Sequence, residues 1–190
     1  MYEVDDDTYC YPGTTVLKNK LDTRRQDVLD EFETEMTDLR AAEALPPGDL
    51  DYDHYRRIHW HLFQDVYAWA GKPRTVRISK GGSPFCYPEH IDAQATKLFN
   101  QLADDRHLQD LSKEDFAGKT AHFLADLNAI HPFREGNGRS QLTFLTLLAE
   151  NAGHPLNHDG LDPKRVIDAL IASFDGDENP LKQMLAELVA

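Results

Sequence analysis

The sequence contains little cysteine, few basic residues and no long apolar run. Its 2 cysteines, Cys10 and Cys86, are far apart and match no metal-binding or redox spacing, so a reducing compartment fits best. No stretch reaches the roughly 18 consecutive apolar residues that indicate a membrane span. The acidic start of the chain lacks the apolar segment of a secretory signal. We therefore expect a cytoplasmic protein.

Basic residues number 20 against 33 acidic residues, which gives a net charge of -13. A surface of that sign repels the phosphates of duplex nucleic acid, so nucleic acid binding is not expected. The charge fits a basic or mixed-charge partner, but solubility alone is the simpler explanation. Histidines such as His59 are scattered and form no HExxH pattern, so they predict surface or capping roles and no metal site.

Apolar residues recur at three- and four-residue steps along most of the chain, which predicts a mainly α-helical fold. Hydrophobic residues make up 41% of the 190 residues, enough for the core of a single compact domain over residues 1–190. An irregular segment is expected at residues 1–22. Thr23 and Ser112 are the expected caps of two helices. The predicted helices cover residues 24–45, 53–70, 91–103, 113–130, 137–153, 163–174 and 180–189.

Residues 72–90, here called the flap, interrupt the helical pattern. Residues 75–78 are typical of a short strand, 80–83 of a turn, and 84–87 of a second extended piece, which together predict a β-hairpin. The prolines at positions 84 and 88 favour an edge position. Because a lone hairpin is not a stable sheet, we predict that it serves function rather than the core.

Residues 131–142, HPFREGNGRSQL, concentrate chemical groups in one short stretch. Pro132 disfavours helical geometry at His131, so the preceding helix should end there and deliver the histidine to a loop. Phe133 can anchor that loop in the core. The G-N-G turn tolerates positive φ and opens the next helix, whose first N–H groups favour an anion. The stretch therefore predicts an anion site beside a histidine.

The charged residues of this stretch indicate which chemistry it serves. Arg139, in the first turn of a helix, opposes the helix dipole unless an anion is bound there. Glu135 beside a phosphate requires a bridging cation such as Mg²⁺. His131 can act as a general base at physiological pH. Each residue alone is also typical of a plain helix–loop–helix, but the combination at fixed spacing predicts phosphoryl or nucleotidyl transfer to a hydroxyl.

The motif HPFREGNGR at residues 131–139 resembles the signature of Fic-domain proteins, HxFx[D/E]GNGRxxR. The resemblance extends to YCYPG at residues 9–13, LKNKL at 17–21 and the stretch 58–71, and so covers nearly the whole chain. It implies a compact helical Fic fold with a β-hairpin flap before the active-site loop. It also implies a protein adenylyltransferase that moves AMP from ATP to a Ser, Thr or Tyr hydroxyl of a target protein.

The resemblance assigns roles by position. His131 would be the catalytic base and Glu135 the Mg²⁺ ligand, with ATP as the substrate. The flap would bind an extended segment of the target, because an edge strand can add a peptide strand. The phosphates would be held by Gly136, Asn137 with its side chain, Gly138 and Arg139. The flap residues expected at the target are Arg77, Ile78, Ser79, Lys80 and Phe85.

The chain departs from the signature at position 142, where the second arginine is replaced by Leu142. In the family that arginine is associated with the γ-phosphate and pairs with the glutamate of an inhibitory helix. Leu142 continues an apolar stripe with Leu145 and Ala149, so packing is its simplest role. A weaker hold on ATP, another donor, or a binding module without turnover are the open alternatives. The intact base, acid and turn favour retained transferase chemistry.

Family members are restrained by a helix carrying [S/T]xxxE[G/N], in the same chain or in a small partner. The match at residues 146–151 lies in the helix after the turn, with Glu150 about 20 Å from Asn137 at 1.5 Å per residue. We interpret it as chance. The resemblance therefore implies a toxin-like enzyme restrained by a separate antitoxin, acting in the bacterial cytoplasm or delivered as an effector.

Overall fold

The computed structural model describes residue 4 and residues 7–80, 82–157 and 162–189. Within these ranges no helix is both long and apolar enough to cross a membrane. Gly81 of the predicted turn, and most of the first six residues of the predicted irregular segment, lie outside the described residues. The elements are α1 (Gln26–Ala41), α2 (Tyr52–Phe63), β1 (Ser79–Lys80), β2 (Ser83–Pro84), α3 (Ile91–Asp104), α4 (Lys113–Ile130), α5 (Asn137–Ala152), α6 (Pro163–Phe174) and α7 (Asn179–Leu188).

The helix α4 is central and packs against α3, α5, α6 and α7, while α2 packs against α1 and α5. Ser112 caps α4 as predicted, because its hydroxyl accepts from the N–H of Asp115 at 3.1 Å. The loop between α4 and α5 is anchored by Phe133, which is fully buried. The mainly helical fold with one antiparallel hairpin confirms the predicted fold class, and it holds the 131–136 loop against the core.

The first two helices are shorter than predicted. The helix α1 begins at Gln26 without a side-chain cap, and the Thr23 hydroxyl accepts from the N–H of Arg25 instead. The helix α2 ends at Phe63 rather than near Ala70. The residues just after its end are held by Lys20, whose ammonium donates to Gln64 O at 2.6 Å and whose N–H donates to Val66 O at 2.8 Å. A contact from a distant segment therefore replaces the last predicted turns.

The hairpin is also shorter, and its pairing differs from the prediction. Ser79 pairs with Pro84 and Lys80 with Ser83, whereas strands at residues 75–78 and 84–87 were expected. The carbonyl groups of Val76 and Cys86 accept from the guanidinium of Arg74, at 2.8 and 2.5 Å. The ladder continues by one backbone bond, from Phe85 N to Ile78 O at 3.2 Å. Beyond it the two arms of the flap separate around Arg74, which takes these carbonyls.

Candidate active site

His131 lies where α4 ends and the loop to α5 begins. Its backbone is left-handed, with φ of 48°, and its N–H donates to Leu127 O at 3.0 Å. The helix therefore ends where Pro132 predicts. The imidazole stacks on the Phe85 ring of the flap with the ring centres 4.0 Å apart, and the residue is 7% exposed. The predicted base is thus enclosed between the end of α4 and the flap.

The surroundings of His131 fix its protonation state. Its Nδ1 lies 3.2 Å from the carbonyl oxygen of Asn128. A carbonyl oxygen only accepts, so Nδ1 carries the proton and Nε2 is the basic nitrogen. Burial, assisted by the charges of Arg74 and Lys80, lowers the pKa of His131 to about 3. The imidazole is therefore neutral at physiological pH, and its Nε2 is unprotonated.

The turn after Glu135 depends on one glycine. Gly136 has φ of 81° and precedes the first residue of α5. A Cβ at this position would lie 2.3 Å from the Phe63 ring, so both the backbone conformation and the packing require glycine. Asn137 and Gly138 have negative φ and are already helical, so the positive φ expected for the G-N-G stretch is confined to Gly136.

The first turn of α5 is open toward an anion. Among the described residues no side chain caps this helix, and its first backbone bond runs from Ser140 N to Gly136 O at 3.1 Å. The N–H groups of Asn137, Gly138 and Arg139 come before that bond. Gly138 is exposed, and no atom lies within 4 Å of the position of a Cβ on it. This helix end can therefore bind phosphate oxygens through backbone N–H groups.

The side chain of Asn137 closes the loop on itself. Its Oδ1 accepts from Phe133 N at 2.9 Å, and its Nδ2 donates to Phe133 O at 2.8 Å. With 1% exposure, this amide is fully engaged inside the loop. The sequence assigned the side chain to phosphate, but the structure uses it to set the loop's shape, because a backbone reversal needs partners for both peptide groups. The backbone N–H of Asn137 precedes the first hydrogen bond of α5, so it belongs to the donors of the helix end, although the residue is buried.

Arg139 is held by two residues of α1 that the sequence did not indicate. Its Nη2 forms an ion pair with Glu33, and its Nη1 donates to Thr37 Oγ1 at 3.2 Å. The guanidinium lies over the Phe63 ring, 4.6 Å from the ring centre. The other oxygen of Glu33 accepts from the hydroxyl of Tyr67. Arg139 is therefore fixed beside the α5 N-terminus with its side chain 40% exposed.

Glu135 has the surroundings of a cation ligand. Its Oε1 accepts from Gly136 N at 3.0 Å. Burial, together with the negative charge of Glu33, raises the pKa of Glu135, so a nearby cation would be stabilising. The described residues contain no group of three or more His, Cys, Asp or Glu side chains that could enclose a metal. One carboxylate beside a phosphate site nevertheless fits Mg²⁺, which takes its other ligands from phosphates and water.

His59 is buried and hydrogen-bonds to the loop at Glu135. The surface or capping role predicted for it was therefore wrong. Its Nδ1 accepts from Gly71 N at 2.8 Å, and its Nε2 lies 3.0 Å from Glu135 O, to which it donates. The ring is fully buried and stacks on Phe133, 3.7 Å between centres. The periodicity of the apolar residues predicted that His59 lies on α2. Its contact with Glu135 depends on the tertiary fold and could not be predicted in this way.

Arg134 connects the loop to the start of the chain. Its guanidinium donates to Asp7 Oδ2 at 3.0 and 2.7 Å, and the arginine is 5% exposed. Asp7 also accepts from the N–H of Tyr9 and from the thiol of Cys10. Burial and this hydrogen bonding raise the pKa of Cys10 to about 11, so its thiol is unreactive at neutral pH.

The predicted target-binding residues of the flap divide into two groups. Ile78 and Phe85 are buried, at 3% and 9% exposure, so their side chains face the protein. Lys80 is exposed and Ser79 is half-buried. Arg77 is exposed on the surface, lies over the Tyr87 ring at 4.2 Å and approaches Glu89 at 3.7 Å. The side chains of Ile78 and Phe85 therefore support the flap from within, since they pack on the core.

A cavity of about 490 Å³ opens beside His131, between the flap and α6. Lys80 and Phe85 line it from the flap, and Ile171 and Phe174 line it from α6. Phe174 also contacts Phe85 edge-to-face, with ring centres 5.3 Å apart. The cavity therefore leads to the buried imidazole past the apolar side chains of Phe85, Ile171 and Phe174.

Leu142 packs partly against the core. Its carbonyl accepts from the Thr146 hydroxyl at 3.1 Å, a bond internal to α5. Glu150, the acid of the sequence match to an inhibitory helix, is exposed in the last turn of α5. Both observations agree with the sequence interpretation that Leu142 packs and that Glu150 is remote from the turn.

Comparison with known proteins identifies the family. A family model described as Fic/DOC family matches residues 49–149. The probable protein adenylyltransferase y4lH of Sinorhizobium fredii is 53% identical, over 99% of this chain and 98% of that protein. The probable protein adenylyltransferase Fic of Escherichia coli K12 is 35% identical, over 97% and 92%. BepC, a VirB-translocated effector of Bartonella tribocorum solved with bound AMPPNP, superposes with a TM-score of 0.85, 28% identity and 96% coverage of both chains. This chain belongs to the Fic/DOC family.

Proposed function

We propose that the protein is an adenylyltransferase that moves AMP from ATP to a hydroxyl side chain of a target protein. The observation that carries this proposal is one short loop that holds both a neutral histidine with an unprotonated Nε2 and an uncapped helix N-terminus. The names of the S. fredii and E. coli relatives, and the AMPPNP bound to BepC, support the same activity.

His131 is the base in this proposal. The target hydroxyl enters the cavity between the flap and α6, and its proton passes to Nε2. The hydroxyl oxygen bonds to the α-phosphorus of ATP, while the bond to the β-phosphate oxygen breaks and pyrophosphate leaves. The Asn128 carbonyl holds the Nδ1–H throughout, which stabilises the imidazolium formed by proton transfer.

The phosphates bind at the N-terminus of α5. The N–H groups of Asn137, Gly138 and Arg139 donate to phosphate oxygens, and the Arg139 guanidinium neutralises their charge. Glu135 would hold Mg²⁺. The bound ion would supply positive charge to offset the negative charge that develops on the leaving pyrophosphate. Asn137 and His59 shape the loop that presents these groups.

The flap binds the target as an extended segment. The backbone of β1 and β2 forms a two-stranded ribbon, and the edge of such a ribbon can add a strand. Lys80 and Arg77 are exposed cations of the flap, and they suit an acidic or polar target segment. We propose that residues 1–190 form one domain, and the pairing of Arg134 in the active loop with Asp7 supports this.

The proposal extends to cellular context. We place the enzyme in the cytoplasm, or delivered to one as an effector, because ATP and Mg²⁺ are available there. Its activity is toxin-like and restrained by a small antitoxin that inserts a glutamate-bearing helix near α5. Co-expression with such a partner should relieve growth inhibition, and co-purification of a complex would support it. Growth inhibition that His131→Ala leaves unchanged would contradict the toxin-like role.

Label transfer from ATP tests the reaction. ATP carrying ³²P at the α-phosphate, Mg²⁺ and a bacterial lysate are incubated with the protein, and the proteins are separated on a gel. We expect a labelled protein band, no band with γ-labelled ATP, and loss of the band in His131→Ala. The control is His122→Ala, an exposed histidine paired with Glu178 away from the site. Labelling from the γ-phosphate, or labelling that survives His131→Ala, would contradict adenylyl transfer.

Leu142 favours a second candidate, a protein that uses another nucleotide or that binds without turnover. The same assay with labelled GTP, CTP and UTP separates these cases from the first. Label from one of them would identify another donor. Measurable ATP binding without label from any nucleotide would indicate a binding module.

A further inference from the structure

Arg74 is a buried arginine at the base of the flap, and the reaction proposed above does not use it directly. It is 2% exposed. Its guanidinium donates to four backbone carbonyl oxygens, which is enough to engage all three of its nitrogen atoms. The acceptors are His131 at 2.9 Å, Val76 at 2.8 Å, Cys86 at 2.5 Å and Ile130 at 3.3 Å.

The four carbonyls belong to two separate parts of the site. Ile130 and His131 are the last residue and the cap of α4, where carbonyls have no partner within the helix and the dipole is negative. Val76 and Cys86 lie on the two arms of the flap. A guanidinium is planar and presents five N–H groups in fixed directions, so it can bond both parts at once. An ammonium group is a point donor and cannot span them.

Three neighbouring contacts connect the same two parts. The N–H of Arg74 donates to Pro132 O at 2.8 Å, and the N–H of Cys86 donates to Ala129 O at 3.0 Å. Phe85, next to Cys86, stacks on the imidazole of His131. The flap arms and the end of α4 are therefore held together around Arg74.

We propose that Arg74 is a positioning residue that keeps the flap and the backbone of His131 in fixed register. A target segment bound to the flap then brings its hydroxyl to the distance at which the imidazole can accept the proton. This inference rests on the proposed function, in which the flap binds the target and His131 is the base. The groups proposed for the phosphates lie on α5, and none of the four carbonyls does, so Arg74 acts on transfer and not on nucleotide binding.

The substitution Arg74→Lys tests the inference, because it keeps the charge and removes the planar fork. At saturating ATP we expect the rate of label transfer to fall on the order of tenfold to a hundredfold, since small displacements of reacting groups have effects of this size. The dissociation constant for ATP, measured by calorimetry, should change by less than about twofold. The control is Arg165→Lys on α6, a surface arginine paired with Glu187, which should transfer label normally.

A normal transfer rate in Arg74→Lys, or an equal loss of ATP affinity and rate, would overturn the positioning role. Failure of the unsubstituted protein to label any target would count against the transfer reaction instead. Hydrogen exchange tests the positioning role of Arg74 without a substrate. In Arg74→Lys the N–H of Cys86 should exchange faster while amides in the middle of α4 keep their rates. Unchanged exchange at Cys86 would contradict the inference.

If Arg74→Lys does not fold, native-state hydrogen exchange of the unsubstituted protein tests the proposal instead. One guanidinium joins both parts, so the N–H groups of Arg74 and Cys86 should open in one step, with the same opening free energy and denaturant dependence. Opening of Cys86 at a clearly lower free energy than Arg74 would show that the flap arm moves independently, and would overturn the proposal.

Discussion

Glu33 and Arg139 are separated by 106 residues and form an ion pair beside the N-terminus of α5. The pair leaves a carboxylate next to the groups that we propose for the phosphates of ATP. The Glu33 charge also acts on Glu135, whose pKa it helps to raise after the larger effect of burial. Phosphate binding must therefore proceed against a negative charge that belongs to the protein itself.

Removing that charge should tighten nucleotide binding. In Glu33→Gln the shape and hydrogen-bonding capacity are kept, while the competitor for Arg139 becomes neutral. We expect ATP to bind about fivefold to tenfold more tightly, the change that roughly 1 kcal/mol gives, as measured by calorimetry. Glu35→Gln, an exposed position on the same helix, is the control. Weaker binding in Glu33→Gln would show instead that the carboxylate is needed to orient Arg139.

An arginine at position 142 should act selectively on the γ-phosphate. Leu142 lies one turn beyond Arg139, so a guanidinium there can reach the same anion. In Leu142→Arg we expect ATP affinity to rise roughly tenfold relative to ADP affinity. Leu142→Met serves as the control for altered packing. Equal effects on ATP and ADP, or none, would mean that position 142 only packs.

The two glycines of the turn should respond differently to alanine. Gly136→Ala places a Cβ against Phe63 at a positive φ and should lower the free energy of unfolding by about 1–3 kcal/mol. Gly138→Ala has open space at a helical position and should raise it by up to about 1 kcal/mol. Urea denaturation measures both. A similar loss of stability in the two variants would refute the assignment of positive φ to Gly136 alone.

Acid should destabilise the protein through its buried histidines. Burial lowers the pKa of both His59 and His131 to about 3, so between that value and the ordinary pKa near 6.5 the unfolded chain binds protons that the native state does not. Stability is therefore lost as the pH falls through this window and levels off below it, by about 1.4 kcal/mol per pH unit for each group. His131→Asn should flatten the slope measured between pH 6 and 5. An unchanged slope would place the pKa of His131 near its ordinary value.

Local signals allowed the sequence to predict α4, α5 and the loop between them. Ser112 starts α4, Pro132 enforces its end at His131, and Gly153 ends α5 with φ of 80°. These residues act on their own neighbours, so their effect can be interpreted without the fold. His131, Glu135 and the G-N-G turn could be proposed as site residues for the same reason, because they lie close together in the sequence.

Contacts between distant segments could not be predicted in this way. The helix α2 ends early because Lys20 binds the residues just after its end, and the hairpin is short because Arg74 takes the carbonyls of its arms. Glu33 and His59 reach the site only through the packing of α1 and α2. Each of these residues looked like an ordinary helix or loop residue. The polarity of the sequence gave no signal for their burial against the active loop.

The Asp7–Arg134 pair has a consequence for how the family signature is interpreted. Arg134 occupies a position that the signature leaves unspecified, yet its guanidinium is buried and bound to a residue 127 positions away. Its guanidinium therefore contacts the N-terminal segment and takes no part in the proposed anion site. A position that a motif leaves unspecified can in this way depend on a contact with the rest of the fold. Transfer of this loop to another protein would therefore require an acidic partner equivalent to Asp7.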